Sequence, residues 1–211
     1  AFLGEEGLAQ AGLSVHWLAP WEGFGTYEVW GELIRGSSET VFGGAGKLAA
    51  LAHLNAFYEL SPAAYVEVGG LTGRREELGE RFGTRVYGLD GTLSWRPPAR
   101  AKFTGASLRA AYVRSRRDGP AGVTLDADGG FLIGEYQFAQ RWHVGARYEW
   151  TENPAEPDES STLLAPTLTW WQSEFVRLRA EYDVLRRPGD DVRQFVLQAT
   201  FAMGPHRHET Y

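Results

Sequence analysis

Arg141-Trp142-His143-Val144-Gly145-Ala146-Arg147-Tyr148-Glu149-Trp150-Thr151 decides the fold. Trp142, Val144, Ala146, Tyr148 and Trp150 alternate with Arg141, His143, Gly145, Arg147 and Glu149. One side of an extended ribbon is therefore wholly apolar, and the other carries most of the charge. A helix would scatter both sets around its axis, so the segment is a strand. Downstream, Val176, Leu178, Ala180, Tyr182 and Val184 alternate with Arg177, Arg179, Glu181 and Asp183. Phe195, Leu197, Ala199, Phe201 and Met203 alternate with Val196, Gln198, Thr200 and Ala202.

Working outward, the same template fits segments 13–19, 26–34, 48–60, 64–72, 85–96, 103–114, 131–139 and 163–171. That predicts roughly eleven strands and no convincing helix. The alanines and leucines of 48–60 also allow a helix, but Leu48, Ala50, Ala52, Leu54, Ala56, Tyr58 and Leu60 alternate without a break, which favours a strand.

Short connections are expected at 20–24, 61–62, 97–101, 140 and 172–173. Long, polar ones rich in Gly, Asp and Glu are expected at 35–46, 73–83, 116–130 and 152–161, with a smaller one at 186–191. They alternate short and long along the chain. An outer-membrane barrel sorts its loops in this way, with tight periplasmic turns and longer external loops. Strands of about 9–13 residues also suit a tilted crossing of ~30 Å of hydrocarbon better than a soluble sheet.

Composition narrows the function classes. The 211 residues include 26 glycines, 8 tryptophans and no cysteine, which excludes disulfides and thiolate metal sites. A formal net charge of -6 argues against a nucleic-acid partner, which would require a basic stripe. Mean hydropathy is -0.33 and no apolar run approaches the ~20 residues of a membrane helix. A spanning barrel is compatible with both, because each strand hides its polar half from lipid.

The expected architecture is all-β, an antiparallel up-and-down transmembrane β-barrel filling residues 1–211, with 204–211 as a periplasmic C-terminal tail. If the short turns are periplasmic, the first and last strands both descend and the count is odd. An open edge in lipid leaves a row of backbone groups unpaired. Earlier strands are therefore expected to precede Ala1, unless the count is off by one or several chains close the barrel together.

On the apolar side, Trp17, Trp21, Trp95, Trp150, Trp170 and Tyr182 fall near strand ends, where aromatic girdles meet lipid headgroups. The other side carries Glu28, Glu32, Glu59, Glu67, Asp90, Arg96, Arg109, Glu135, Arg141, His143, Arg147, Glu149, Arg177, Arg179, Glu181 and Asp183. These charges either brace the wall as cross-strand ion pairs or line a polar lumen that filters solutes, and the two readings are compatible. Arg141, Arg147, Arg177 and Arg179 would form a basic strip if strand order holds. The interior of a soluble sandwich or ligand-binding barrel is the alternative home for the apolar side.

His16, His53 and His143 share the charged side and read as hydrogen-bonded wall residues. His206 and His208 are spaced so that both project to one side of an extended tail. Two imidazoles can begin a Zn²⁺ site, which needs further ligands; a solvated tail is the competing reading, and no cofactor is otherwise expected. Asp126-Ala127-Asp128-Gly129 opens like a calcium loop, but its glycine comes too early for an EF-hand and Gln137 stands where the closing Glu belongs. It reads as an acidic external loop. No nucleophile elbow or phosphate loop is visible, so an enzyme is not expected.

Phe2-Leu3-Gly4-Glu5-Glu6-Gly7-Leu8, Val15-His16-Trp17-Leu18-Ala19-Pro20, Trp171-Gln172-Ser173-Glu174-Phe175-Val176-Arg177-Leu178-Arg179 and the closing Phe201-Ala202-Met203-Gly204-Pro205-His206-Arg207-His208-Glu209-Thr210-Tyr211 carry a resemblance. Together they resemble the C-terminal half of the Gram-negative outer-membrane barrels labelled zinc-regulated, TonB-dependent-receptor-like or porin-like. The resemblance implies a signal peptide and earlier strands, with a His-containing segment, before Ala1. It also implies that the terminal aromatic Tyr211 is similar to the end recognised by barrel-assembly machinery, although the apolar alternation stops at Met203. The expected function is a passive channel or uptake protein for small polar solutes or ions in the outer membrane. A receptor or scaffold with a blocked lumen and partner-binding loops is the alternative, and a soluble ligand-binding barrel the second.

Overall fold

Segments of alternating polarity can satisfy their backbone groups only by pairing, and here they pair with their neighbours in chain order. The computed structural model describes residues 11–20, 25–36, 47–76, 83–118, 123–153 and 156–202. Its strands are β1 (Gly12–Leu18), β2 (Thr26–Gly36), β3 (Lys47–Ser61), β4 (Ala64–Glu76), β5 (Gly83–Trp95), β6 (Gly105–Asp118), β7 (Thr124–Ala139), β8 (Trp142–Asn153), β9 (Glu156–Trp171), β10 (Val176–Arg187) and β11 (Asp190–Phe201). They form one antiparallel sheet of 11 strands in the order β1 to β11. Among the described residues no ladder joins β1 to β11, and the only helical element is a 3-10 turn at Pro98–Arg100. Among the described residues no helix is long and apolar enough to cross a membrane.

Segment 48–60 is a strand, as its alternation indicates. The connections differ from expectation. β6 and β7 run on to Asp118 and from Thr124, and β8 and β9 to Asn153 and from Glu156. Most of 116–130 and 152–161 is therefore ladder, not loop. The reason is visible at Arg114↔Asp128 and Arg116↔Asp126, directly opposed pairs that extend the ladder on charge instead of apolar area. Such an extension has no greasy side for a hydropathy pattern to register. Asp126 and Asp128 accordingly sit in β7, with Ala127 between them almost fully buried at 1% exposure, so the acidic-loop reading does not hold. At the β10–β11 turn, Pro188-Gly189, Gly189 has φ 78°, a left-handed conformation that glycine adopts without a Cβ clash.

Register sorts the side chains onto two faces. One carries Leu13, Val29, Leu54, Val68, Leu89, Leu108, Leu132, Val144, Leu168, Leu178 and Leu197. All of these are exposed, up to 73% at Leu197. The other face carries most of the charges; Arg74, Arg85, Arg114, Arg116, Asp126 and Asp128, at the end away from the short turns, share the apolar side. Buried strand residues lie on that charged face, including Ile34, Ala49, Val86, Ser115, Gln137, Ala165 and Thr169; Ala56 is the exception. The sheet thus shelters its charged side and presents its apolar side outward, the reverse of a soluble sheet.

Candidate functional site: the charged face and its aromatic-edged reverse

The registers place Glu28, Glu32, Asp90, Arg109, Glu135, His143, Arg147, Glu149, Arg177, Arg179 and Glu181 on one face. Arg141 lies just outside β8, in the turn with Gln140, where its carbonyl accepts a hydrogen bond from Trp171 N at 2.9 Å. Arg96 likewise lies just beyond β5, its N–H bonded to the Ala63 carbonyl at 2.6 Å, and its side chain lies over Gly105, which shares the charged face with Gln137.

The face is divided electrostatically. Over β1 to β5 its described charged side chains are carboxylates and histidines: Glu28, Glu32, Glu59, Glu67 and Asp90 with His16 and His53. Each histidine meets an acid. His16 meets Glu28, His53 meets Asp90 at 3.5 Å, and across the sheet His143 meets Glu135 at 3.3 Å. Asn55 donates to Glu67 at 2.6 Å. Among the described residues no group of three or more His, Asp and Glu side chains is placed to hold a metal. His206 and His208 lie outside the described residues.

Over β8 to β10 both signs interlock. Arg147 reaches Glu149 and Glu181, each at 2.9 Å, and Arg179 reaches Glu181 at 2.6 Å. Glu181 has a side chain only 14% exposed and anchors both arginines. The expected basic strip is thus neutralised at Arg147 and Arg179, because their carboxylate partners occupy the same face two residues away or two strands away. Arg177 instead donates to Thr200 Oγ1 at 3.4 Å and lies over the Trp171 ring, 5.6 Å from its centroid. Arg109, exposed in β6, makes no ion pair among the described residues.

Two of these bridges skip a strand, and each does so over a small residue. Arg147 of β8 reaches Glu181 of β10 across β9, where Ala165 pairs with Arg147 and is 0% exposed. Asp90 of β5 reaches His53 of β3 across β4, lying so close over Gly69 that a Cβ there would come 2.5 Å from its carboxylate. A larger side chain would lift the charges apart. Ala165→Leu is expected to destabilise the sheet by ~1–3 kcal/mol through overpacking. A double-mutant cycle on Arg147 and Glu181 should show their coupling largely abolished in that background.

Sequence reasoning missed Trp30, which faces the charged side between His16 and His53, with ring centroids 5.4 and 5.7 Å away. Its shared parity with Glu28 and Glu32 was the available signal. It also missed a small apolar cluster on that face, Ile34, Ala49 and Val86 with Leu51 and Val113, towards the end away from the short turns.

On the reverse face the aromatics form two tiers. Trp17, Tyr27, Tyr58, Trp95, Tyr136, Trp142 and Trp170 lie towards the short-turn end, with the Trp142 and Trp170 rings 6.1 Å apart. Tyr87, Tyr112, Tyr148, Trp150 and Tyr182 lie towards the other, with Tyr148 stacked on Trp150 at 5.9 Å. Gly130 makes room for Trp150, since a Cβ there would come 2.5 Å from the indole. Trp21 lies outside the described residues. Within β8, Trp142 and Trp150 are eight residues apart, about 27 Å along a strand.

No protein-family model matches the chain, and no curated protein matches it either.

Proposed function

We propose that this sheet is wall of a transmembrane β-barrel in an outer membrane, a passive channel or uptake protein for small polar solutes or ions. The observation that carries this reading is the inverted sorting of the two faces. Leu13, Leu89 and Leu197 are 66%, 67% and 73% exposed on the apolar face, while the Arg147, Arg179 and Glu181 ion pairs of mid-sheet lie on the sheltered one. In water such a continuous greasy face is an aggregation surface; against acyl chains it is the favourable arrangement. The two aromatic tiers stand about as far apart as the apolar band of an outer-membrane barrel with tilted strands. The resemblance to outer-membrane barrels supports the same reading.

In hydrocarbon the free edges of β1 and β11 are untenable, since each unpaired backbone group costs several kcal/mol. Closure therefore brings a hydrogen-bonded partner to both edges, from further strands or from other copies. The charged face then lines the interior, where solutes are selected by the acid-rich wall of β1 to β5 and the interlocked wall of β8 to β10. Insertion would draw on barrel-assembly machinery. The apolar cluster around Ile34, Leu51 and Val86 favours a second reading, an interior constricted on one side in a receptor or scaffold.

Refolded full-length protein in planar bilayers is expected to give discrete ion currents. Insertion without current would replace the channel by the blocked receptor or scaffold. A monodisperse protein in plain buffer without detergent would overturn the membrane assignment.

A further inference from the structure

Beyond the aromatic tier at the end away from the short turns, the apolar face changes character. Register sets Arg74 of β4 directly opposite Arg85 of β5, and Arg85 directly opposite Arg116 of β6. One pair nearer the aromatics, Arg114 stands opposite Tyr87. Like charges in directly opposed positions destabilise a ladder, yet here three follow one another on consecutive strands. Their acidic neighbours lie to one side or above. Arg116 is gripped by Asp126 at 2.9 and 3.1 Å, and Arg114 reaches Asp126 at 3.0 Å and Asp128 at 3.8 Å. Asp118 continues β6 above Arg116, and Glu152 of β8 accepts from the Asp128 N–H at 2.9 Å. Arg85 is exposed, has an arginine on each side and makes no ion pair among the described residues.

We infer that Arg85, flanked by Arg74 and Arg116, binds the phosphate of a phosphorylated lipid in the leaflet at this end of the sheet, its acyl chains lying along Leu89 and Leu93. This rests on the membrane reading above. Guanidinium forks match phosphate oxygens two at a time, and a shared anion turns the repulsion along the row into attraction. Asp126 holds the Arg116 and Arg114 heads in place, so less side-chain freedom is lost when the phosphate arrives. The greasy residues continue below the row on the same face, with Leu89 at 67% and Leu93 at 44% exposure, so one molecule can satisfy both surfaces.

The test uses the full chain in detergent micelles, with bound lipid counted by native mass spectrometry and vesicle flotation run in parallel. The probes are diphosphoryl lipid A, the same lipid stripped of phosphate, and inorganic phosphate. Wild type is expected to retain the diphosphoryl lipid about tenfold better than the stripped one, a difference of ~1.4 kcal/mol. Arg85→Ala should remove that preference and Arg85→Lys should keep part of it. Arg100→Ala, in the 3-10 turn at the opposite end, should leave it intact. Equal retention of both lipids by wild type, or an undiminished preference in Arg85→Ala, overturns the inference. So does displacement by millimolar inorganic phosphate, which would make the ligand a free anion. If flotation itself fails, the membrane reading is what falls.

Discussion

Ala146→Arg should cost this protein ~2–4 kcal/mol of membrane stability, whereas Arg147→Ala, one residue along, should cost much less. Ala146 stands on the apolar face opposite Gly134 and Pro166, midway between Trp142 and Trp150. An arginine there is placed at the depth where neither water nor headgroup reaches it. Arg147 points to the other side and holds Glu149 and Glu181; its removal leaves Glu181 still paired with Arg179 and Glu149 exposed to water, so it acts mainly on ion preference. The measurement is urea-induced unfolding of each variant in vesicles, followed by tryptophan fluorescence, alongside reversal potentials in planar bilayers. Equal, mild losses from both variants would mean that the faces are not differently solvated, and the membrane assignment would go with them.

Glu181→Gln is expected to produce the second-largest effect. The side chain is mostly buried and accepts from both Arg147 and Arg179, and Asp183 follows two residues later on the same face. Neutralising Glu181 leaves Arg179 without its carboxylate and Arg147 with Glu149 alone. Breaking a fully buried pair costs ~3–5 kcal/mol. Both arginines here are about a third exposed, so solvent relieves much of that and ~1–3 kcal/mol is expected. Local charge shifts by one positive unit, so the reversal potential under a salt gradient should move towards anions. Arg179→Gln on the Glu181→Gln background should restore part of both properties. A variant with unchanged stability and unchanged selectivity would show that this cluster neither braces the wall nor lines a conducting path.

Much of this protein was readable as a string of letters because a strand has a period of two. Alternation in Arg141–Thr151 and its counterparts decided strand identity, approximate strand number and the side on which Glu28, Arg147 or Trp170 would fall, since a residue's parity within a strand is a local property. What parity cannot carry is reach across the sheet. That Arg147 would bypass β9 to meet Glu181 depends on Ala165 being small, and that Asp90 would cross β4 to His53 depends on Gly69; both follow from register between segments dozens of residues apart. The charged extensions of β6 and β7 were invisible for a related reason. Arg116 and Asp126 stabilise the ladder only as a pair, and neither alone looks like strand. Which face is sheltered was likewise decided only by the tertiary arrangement, because burial is a property of the whole assembled sheet and not of any one ribbon within it.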